Sequence, residues 1–309
     1  MRSIDQYSFN EFIRFLPLRD FLTEKRNSLY YQLYISFPHS HKFSKRHDEF
    51  IDQTNYLINK NIICVIAFEN PLAIDWLLSL AAKNCNEFTI LIIDNSRKNK
   101  LRSEIKKVCI KHQTHYFSLP YNPTRHPNRS HALAMGWVYY NIIVKIAPKY
   151  FGFIDHDMLA IAKVNFPSIN SQKCYGLINQ VDNSWFLWAG YSFFNYQLTK
   201  EYFFNFLYDF SRKLDTAGRL YDSIYKNINL ADLKGANIYF AKILIDQKNQ
   251  LDNITIIDDK WLHIGNISYN DNFSPKEKFY KKLIPMLESG IDLNELIVAK
   301  NKKLNLKEA

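Results

Sequence analysis

Two aspartates stand one residue apart in Asp155-His156-Asp157, at the end of the apolar run Tyr150-Phe151-Gly152-Phe153-Ile154. Side chains along a strand alternate in direction, so in extended geometry Asp155 and Asp157 point the same way and His156 points opposite. A carboxylate pair so placed grips one hard cation. Mg²⁺ and Mn²⁺ favour oxygen ligands, and Mg²⁺ is commonly held by one or two carboxylates plus the phosphate oxygens of a substrate. A strand-end Asp-x-Asp therefore suits a metal-bound diphosphate, with Mn²⁺ or Mg²⁺ as the ion. Asp is also common where strands end in polar turns, and taken alone the tripeptide fits such a turn as well. The order of features upstream decides between the two.

Upstream, Ile62-Ile63-Cys64-Val65-Ile66-Ala67-Phe68 is a continuous apolar run of strand length, as a parallel strand covered on both faces requires. A helix through Leu72, Trp76, Leu77 and Leu80 follows, then a second buried strand, Thr89-Ile90-Leu91-Ile92-Ile93, ending in Asp94-Asn95-Ser96. Residues 98–111 read as a basic helix, His115–Leu119 as a third strand and residues 120–129 as a loop containing Pro and Arg. A helix from Ser130 to about Ile146 leads into Phe151–Ile154. This alternation predicts an α/β fold, a mostly parallel sheet flanked by helices, with ligands at the carboxyl ends of its strands. Glu69 and Asn70, Asp94 and Asn95, the 120–131 loop and the Asp155–Asp157 pair all fall at such ends. A chance polar turn does not account for that convergence. No Gly-x-Gly-x-x-Gly follows the first strand and no Walker-type Gly-x-x-x-x-Gly-Lys-Ser/Thr occurs, so phosphate must be held by metal and basic side chains.

The 309 residues suffice for one large domain or two small ones, and 47% hydrophobic content supplies a sizeable core. An aromatic content of 16% with only eight glycines excludes a Gly-rich or disordered chain. A formal charge of +10 fits a polyanionic partner, whether nucleic acid, an anionic membrane surface or a phosphorylated substrate. Part of that excess, running from Arg97 to Lys111, interleaves with Leu101, Ile105 and Val108 at helical spacing and reads as a solvated helix face. Cys64, Cys85, Cys109 and Cys174 lack Cys-x-x-Cys spacing and read as reduced residues of a cytosolic protein. Residues 1–30 hold no uninterrupted apolar segment, and Trp137–Ala147, broken by Asn141 and Lys145, is too short to span a bilayer. Neither a secretory signal nor a transmembrane helix is expected.

Residues 1–60 read as a helical N-terminal extension interrupted at Phe37-Pro38-His39-Ser40-His41. His39, His41 and His47 have no acidic or Cys partners at ligand spacing and read as a surface loop rather than a metal site. Beyond the aspartate pair, Cys174–Ile178 is a candidate strand, and Trp185–Phe194 is densely aromatic, suited to sugar rings or to a core. Trp185, Trp188 and Tyr191 are its candidate acceptor-binding residues. Residues 199–212 and 220–228 read as helices around Asp215-Thr216-Ala217-Gly218-Arg219, and Ile254–Ile257 as a late strand. Residues 266–309 read as a basic helical C-terminal tail, leaving 61–265 as the main domain.

The order of these parts resembles a nucleotide-sugar glycosyltransferase of the GT-A fold, most similar to the family 2 type, over roughly residues 61–265. In that family a polar contact to the nucleotide follows the first strand, matching Glu69 and Asn70, and an acidic residue recognising base or ribose ends the second, matching Asp94. The small-residue motif before the metal strand matches Arg129-Ser130-His131-Ala132-Leu133-Ala134-Met135-Gly136-Trp137, and Asp155-His156-Asp157 matches the Asp-x-Asp. A late histidine often supplies another metal ligand in this fold, and His263 stands where it is expected. Two departures stand out. Ala134 occupies the place of a common Asn two residues before Gly136, and no Glu-Asp pair follows the aromatic segment where the inverting family places its base. Asp215 is the substitute, with Asp209 and Asp222 as rivals, and Asp215 suits a helix N-cap too.

The resemblance implies a metal-dependent, inverting transfer of sugar from a nucleotide-diphosphate sugar to an acceptor hydroxyl. Asp157 and His263 hold the ion, Asp155 touches metal or ribose, Arg125 and Arg129 contact the phosphates, and Asp215 deprotonates the acceptor. His131 is either a phosphate contact or a satisfied buried histidine. The acceptor expected is a glycan, a lipid-linked molecule or a protein, with no nucleic acid partner, in the cytoplasm with peripheral contact at the inner membrane face. A second class stays open: a non-catalytic GT-A-like protein whose basic surface binds nucleic acid or anionic membrane. The missing Glu-Asp pair favours it; the intact Asp-x-Asp and late histidine oppose it.

Overall fold

The computed structural model describes Lys25, Phe37 and residues 45–302 except 123, 125, 168, 170, 248, 266, 268 and 269. Helix α1, Lys45–Thr54, buries His47 and Phe50. Strand β1, Asn61–Ala67, is buried along nearly its whole length, and its period of two divides its side chains between two cores. Ile62, Cys64 and Ile66 pack with Leu133 and Trp137, whereas Ile63, Val65 and Ala67 pack with Ile74, Leu77 and Ile105. Both faces therefore need a cover. Helices α2, Pro71–Asn84, and α3, Asn99–Lys111, supply one, and α4, Pro127–Val138, supplies the other.

β1 pairs in parallel with β2, Thr89–Asp94, and with β4, Tyr150–Ile154, while β2 pairs in parallel with β3, His115–Ser118. β7, Ser184–Asn195, runs antiparallel beside β4, and β6, Cys174–Val181, antiparallel beside β7. The six strands lie in the order β3-β2-β1-β4-β7-β6. A second, antiparallel sheet holds β5, Met158–Ala160, β8, Ile238–Asp246, β9, Asn249–Ile257, β10, Trp261–His263, and β11, Ile297–Lys302. Its order is β11-β8-β9-β10-β5. The result is the expected α/β class, a mostly parallel central sheet between helices. The chain leaves β4 at Asp155 and enters β5 at Met158, so Asp155-His156-Asp157 links the two sheets.

Several expectations give way. Residues 199–212 are not a helix: Tyr196–Thr199 make one helical turn, and Asp209 and Leu214 then bond each other's backbones at 2.9 Å in both directions. Phe204 and Phe206 are core residues, Phe204 stacking on Tyr139 at 3.9 Å and Phe206 meeting Phe153 edge-on at 5.3 Å. Aromatic density there fills the space beneath α4 rather than marking a helical stripe. The 220–228 segment is a single α-turn, Leu220–Ser223, followed by a short 3-10 turn. The C-terminal segment, expected as a basic helical tail, is helical over Asn270–Ser289 and packs on the core, but it ends in a strand. Helix α5, Asn270–Ser289, places Phe279, Tyr280 and Leu283 in one core with Trp76 of α2 and Ile256 of β9, and β11 completes the edge of the second sheet against β8. His47, expected in a surface loop, is buried and donates from Nε2 to the Asn141 carbonyl at 2.7 Å; His39 and His41 lie outside the described residues. All four cysteines are free. Among the described residues no helix is long and apolar enough to cross a membrane.

Candidate functional site

Asp155-His156-Asp157 forms a turn rather than an extended strand end, because the Met158 amide donates to the Asp155 carbonyl at 3.2 Å. The two carboxylates converge nonetheless, since each flank is pinned from outside. The Asp155 amide donates to the Gly190 carbonyl at 3.0 Å, and the Ile264 amide donates to the Asp157 carbonyl at 3.1 Å. β10 lies antiparallel to β5 with His263 opposite Met158, which carries its imidazole to the turn. His263 Nε2 stands 3.3 Å from Asp157 Oδ1 and 4.0 Å from Asp155 Oδ2. The three residues offer ligand atoms within 4.8 Å of one another. A cation with oxygens at about 2.0–2.1 Å spaces its ligands roughly 3 to 4 Å apart, and the 3.3 and 4.0 Å from His263 to the two carboxylates fall in that range. Gly190 belongs to the fit: a Cβ there would lie 2.5 Å from Asp155 Oδ2 and 2.4 Å from Cζ2 of Trp188.

The electrostatics of the cluster are unequal. Burial, with the Asp157 charge beside it, pushes the Asp155 carboxyl up to about 6. At Asp157 burial acts the same way but is outweighed by His263, which holds that carboxyl down at about 2. His263 is raised in turn, its own burial overcome by Asp157. A metal bound here would have to displace whatever proton His263 holds, because the ligating imidazole must be neutral.

The cluster opens onto a cavity of about 460 Å³ that Asp215, His131 and Trp188 line as well. The Trp188 ring lies 4.8 Å from that of His263. Asp215 is exposed, and its Oδ1 accepts from Asn128 Nδ2 at 2.8 Å. It is not a helix cap: Arg219 holds the N-cap position of the next helical turn, and the Asp215 carbonyl takes the Gly218 amide at 2.7 Å. Its rivals are occupied elsewhere. Asp209 accepts from the Ser211 hydroxyl at 2.6 Å and pairs with Arg212, which also pairs with Asp222 at 2.9 Å, and neither aspartate lines the cavity.

Other expected residues lie outside the lining. Asp94 is buried, and its Oδ1 accepts the Ser96 amide at 2.8 Å while Oδ2 accepts the Tyr116 hydroxyl at 2.7 Å. Both oxygens serve the turn after β2 instead of facing a base or ribose. Asp94→Ala is therefore expected to lower stability by about 1–3 kcal/mol through the donors it strands, measured by chemical denaturation, with little change in nucleotide affinity. Asn70 caps α2, accepting the Ala73 amide at 3.0 Å, and donates to the Ile267 carbonyl at 3.2 Å; Glu69 pairs with Lys98 at 3.2 Å. Arg129 donates to the Tyr208 hydroxyl at 2.7 Å, and Arg125 lies outside the described residues. Of the aromatic trio only Trp188 reaches the cavity. Trp185 packs on Tyr225 at 4.7 Å and Tyr191 donates to Asp258 at 2.9 Å, because β7 is covered on both faces.

Arg97, grouped in the sequence with a solvated helix face, instead precedes α3 and lines the cavity, donating through Nη2 to the Thr124 carbonyl. Its signal was position: it lies beyond Asp94, at the carboxyl end of β2. Asn95 lines the cavity too, donating to Ser130 Oγ at 3.0 Å and accepting from Asn122 at 3.2 Å.

No protein-family model matches this chain, and no curated protein does. Among solved structures, S. aureus TarS is similar at 20% identity over 33% of this chain and 17% of that one, with a TM-score of 0.24. A structure of S. aureus TarS 1-349 gives 18% identity over 33% and 28%, with a TM-score of 0.25. The mannosyltransferase PcManGT from Pyrobaculum calidifontis, in complex with GDP-Man and Mn²⁺, gives 8% identity over 54% and 56%, with a TM-score of 0.33. The chain spans between 17% and 56% of the length of these proteins. Likeness at this level carries no argument; the fold rests on the strand order and the site on its own geometry.

Proposed function

We propose that this chain is a metal-dependent glycosyltransferase that moves a sugar from a nucleotide-diphosphate sugar to an acceptor hydroxyl. One juxtaposition carries the reading: the Asp155, Asp157 and His263 cluster shares a single cavity with the Asp215 carboxylate. A divalent cation, when bound, supplies Lewis-acid neutralisation of the departing diphosphate. An imidazole beside two carboxylates favours Mn²⁺ over Mg²⁺, whose usual shell is all oxygen. Asp155, Asp157 and His263 hold the ion, and Asp215 takes the proton of the acceptor hydroxyl. The acceptor oxygen forms its bond to the anomeric carbon as the bond from that carbon to the diphosphate breaks, and the nucleoside diphosphate leaves with the electron pair. A single displacement of this kind inverts the anomeric centre. Trp188 offers an apolar ring to the sugar. His131, which burial holds down at about 4, is neutral at neutral pH and serves as a hydrogen-bonding group without charge.

Calorimetric titration with UDP, GDP, CDP, dTDP and ADP, each with and without Mn²⁺, tests the reading, followed by hydrolysis of the matching nucleotide sugars. At least one diphosphate is expected to bind only when Mn²⁺ is present. If none does, the cavity is not a donor site, and a basic surface binding anionic partners becomes the better account.

A further inference from the structure

The described lining of the cavity is short of positive charge for a diphosphate. Three carboxylates, Asp155, Asp157 and Asp215, face one guanidinium, Arg97. A divalent ion and Arg97 together balance the three carboxylates and no more. The diphosphate of a nucleotide sugar brings two further negative charges. Arg129 is engaged by Tyr208 away from the lining.

Lys276 lies outside that lining and reaches the residue that follows His263. It lies in the second turn of α5, half-buried, with its ammonium donating to the Ile264 carbonyl at 3.4 Å, one residue past His263. That bond is at the long limit for an N–H donor, so giving it up costs little. The amide of the same Ile264 is the one bonded to Asp157, so the lysine is tethered to the backbone that frames the metal cluster.

We propose that Lys276 binds the metal-bound diphosphate of the donor, exchanging the Ile264 carbonyl for a phosphate oxygen. A compact ammonium on a flexible stem suits that exchange, because it meets phosphate as a point charge without a fixed fork geometry. The inference rests on the donor reading above and adds to it a residue of α5, outside the 61–265 segment that carries the family resemblance.

Lys276→Met keeps an unbranched side chain and removes the charge. In calorimetric titrations Mn²⁺ alone is expected to bind this variant as tightly as wild type or more so, because a neighbouring cation has gone. The diphosphate that binds wild type with Mn²⁺, whether UDP, GDP, CDP, dTDP or ADP, is expected to bind about ten- to a hundredfold more weakly, the loss of one charged hydrogen bond. Lys276→Arg should recover most of it. Unchanged diphosphate affinity in Lys276→Met overturns the inference. Equal weakening of Mn²⁺ and diphosphate also overturns it, assigning the lysine to holding Ile264 in place. If wild type binds no diphosphate with Mn²⁺, the donor reading itself fails and this inference goes with it.

Discussion

Replacing Asp157 by alanine is expected to abolish Mn²⁺-dependent nucleotide binding while the protein stays folded. Asp157 is buried and stands 3.3 Å from His263 Nε2, closer to it than Asp155 does, so its removal takes away the anionic centre of the cluster. The loss in Mn²⁺ affinity should be on the order of a hundredfold or more, beyond the 10–100-fold that losing an outer-shell partner of a metal site costs. Folding survives for a chemical reason. With Asp157 gone, His263 loses the larger of the two carboxylate pulls that raise it and keeps Asp155 at 4.0 Å as a partner, so no unpaired buried cation remains. Calorimetry reads the binding and circular dichroism the fold; an unchanged Mn²⁺ affinity in a folded variant would falsify the metal assignment.

The same titration on wild type across pH has a definite sign. Mn²⁺ must displace the proton on His263, which is raised, and needs Asp155 ionised, which occurs through about 6. Affinity should therefore climb as pH rises through 6, continue to climb until His263 is neutral, and then level off. Asp157, already held at about 2, contributes no step in that range.

Much of this site was legible because buried parallel strands write themselves as continuous apolar runs, and the residues that follow such runs share one edge of the sheet. β1, β2 and β4 are of that kind, and they carry Arg97 and Asp155 to a common cavity. The pairing of His263 with Asp157 was legible only through family resemblance, since it depends on the register of β10 against β5 across about a hundred residues of sequence. Residue type alone also fails where two roles need the same chemistry. Asp94 ends a strand as a ligand would, yet both of its oxygens are spent on Ser96 and Tyr116. Aromatic density in β7 suited a sugar platform and a core equally, and only the covering of both strand faces sends Trp185 and Tyr191 inward while Trp188 remains at the cavity. Arg97 was lost to the helix-face reading because α3 begins two residues later than the basic run does.

Asp215→Asn is expected to keep donor affinity and to cut transfer by on the order of 10²–10⁴, the usual contribution of a general base. Asp215 shares the cavity with the metal cluster without belonging to it, so Mn²⁺ and diphosphate binding should be unchanged or slightly tighter once a negative charge is removed. Shape is preserved as well, because the side-chain oxygen that accepts from Asn128 at 2.8 Å is retained in the amide. What is lost is the capacity to take a proton. Hydrolysis of the donor supplies a readout that needs no acceptor, with water standing in for the hydroxyl. Asp222→Asn serves as the control, since Asp222 pairs with Arg212 away from the cavity and its loss should leave turnover near normal. Near-normal turnover in Asp215→Asn, with donor binding intact, would leave the metal site standing and remove Asp215 from the chemistry, placing the proton acceptor elsewhere on the cavity wall.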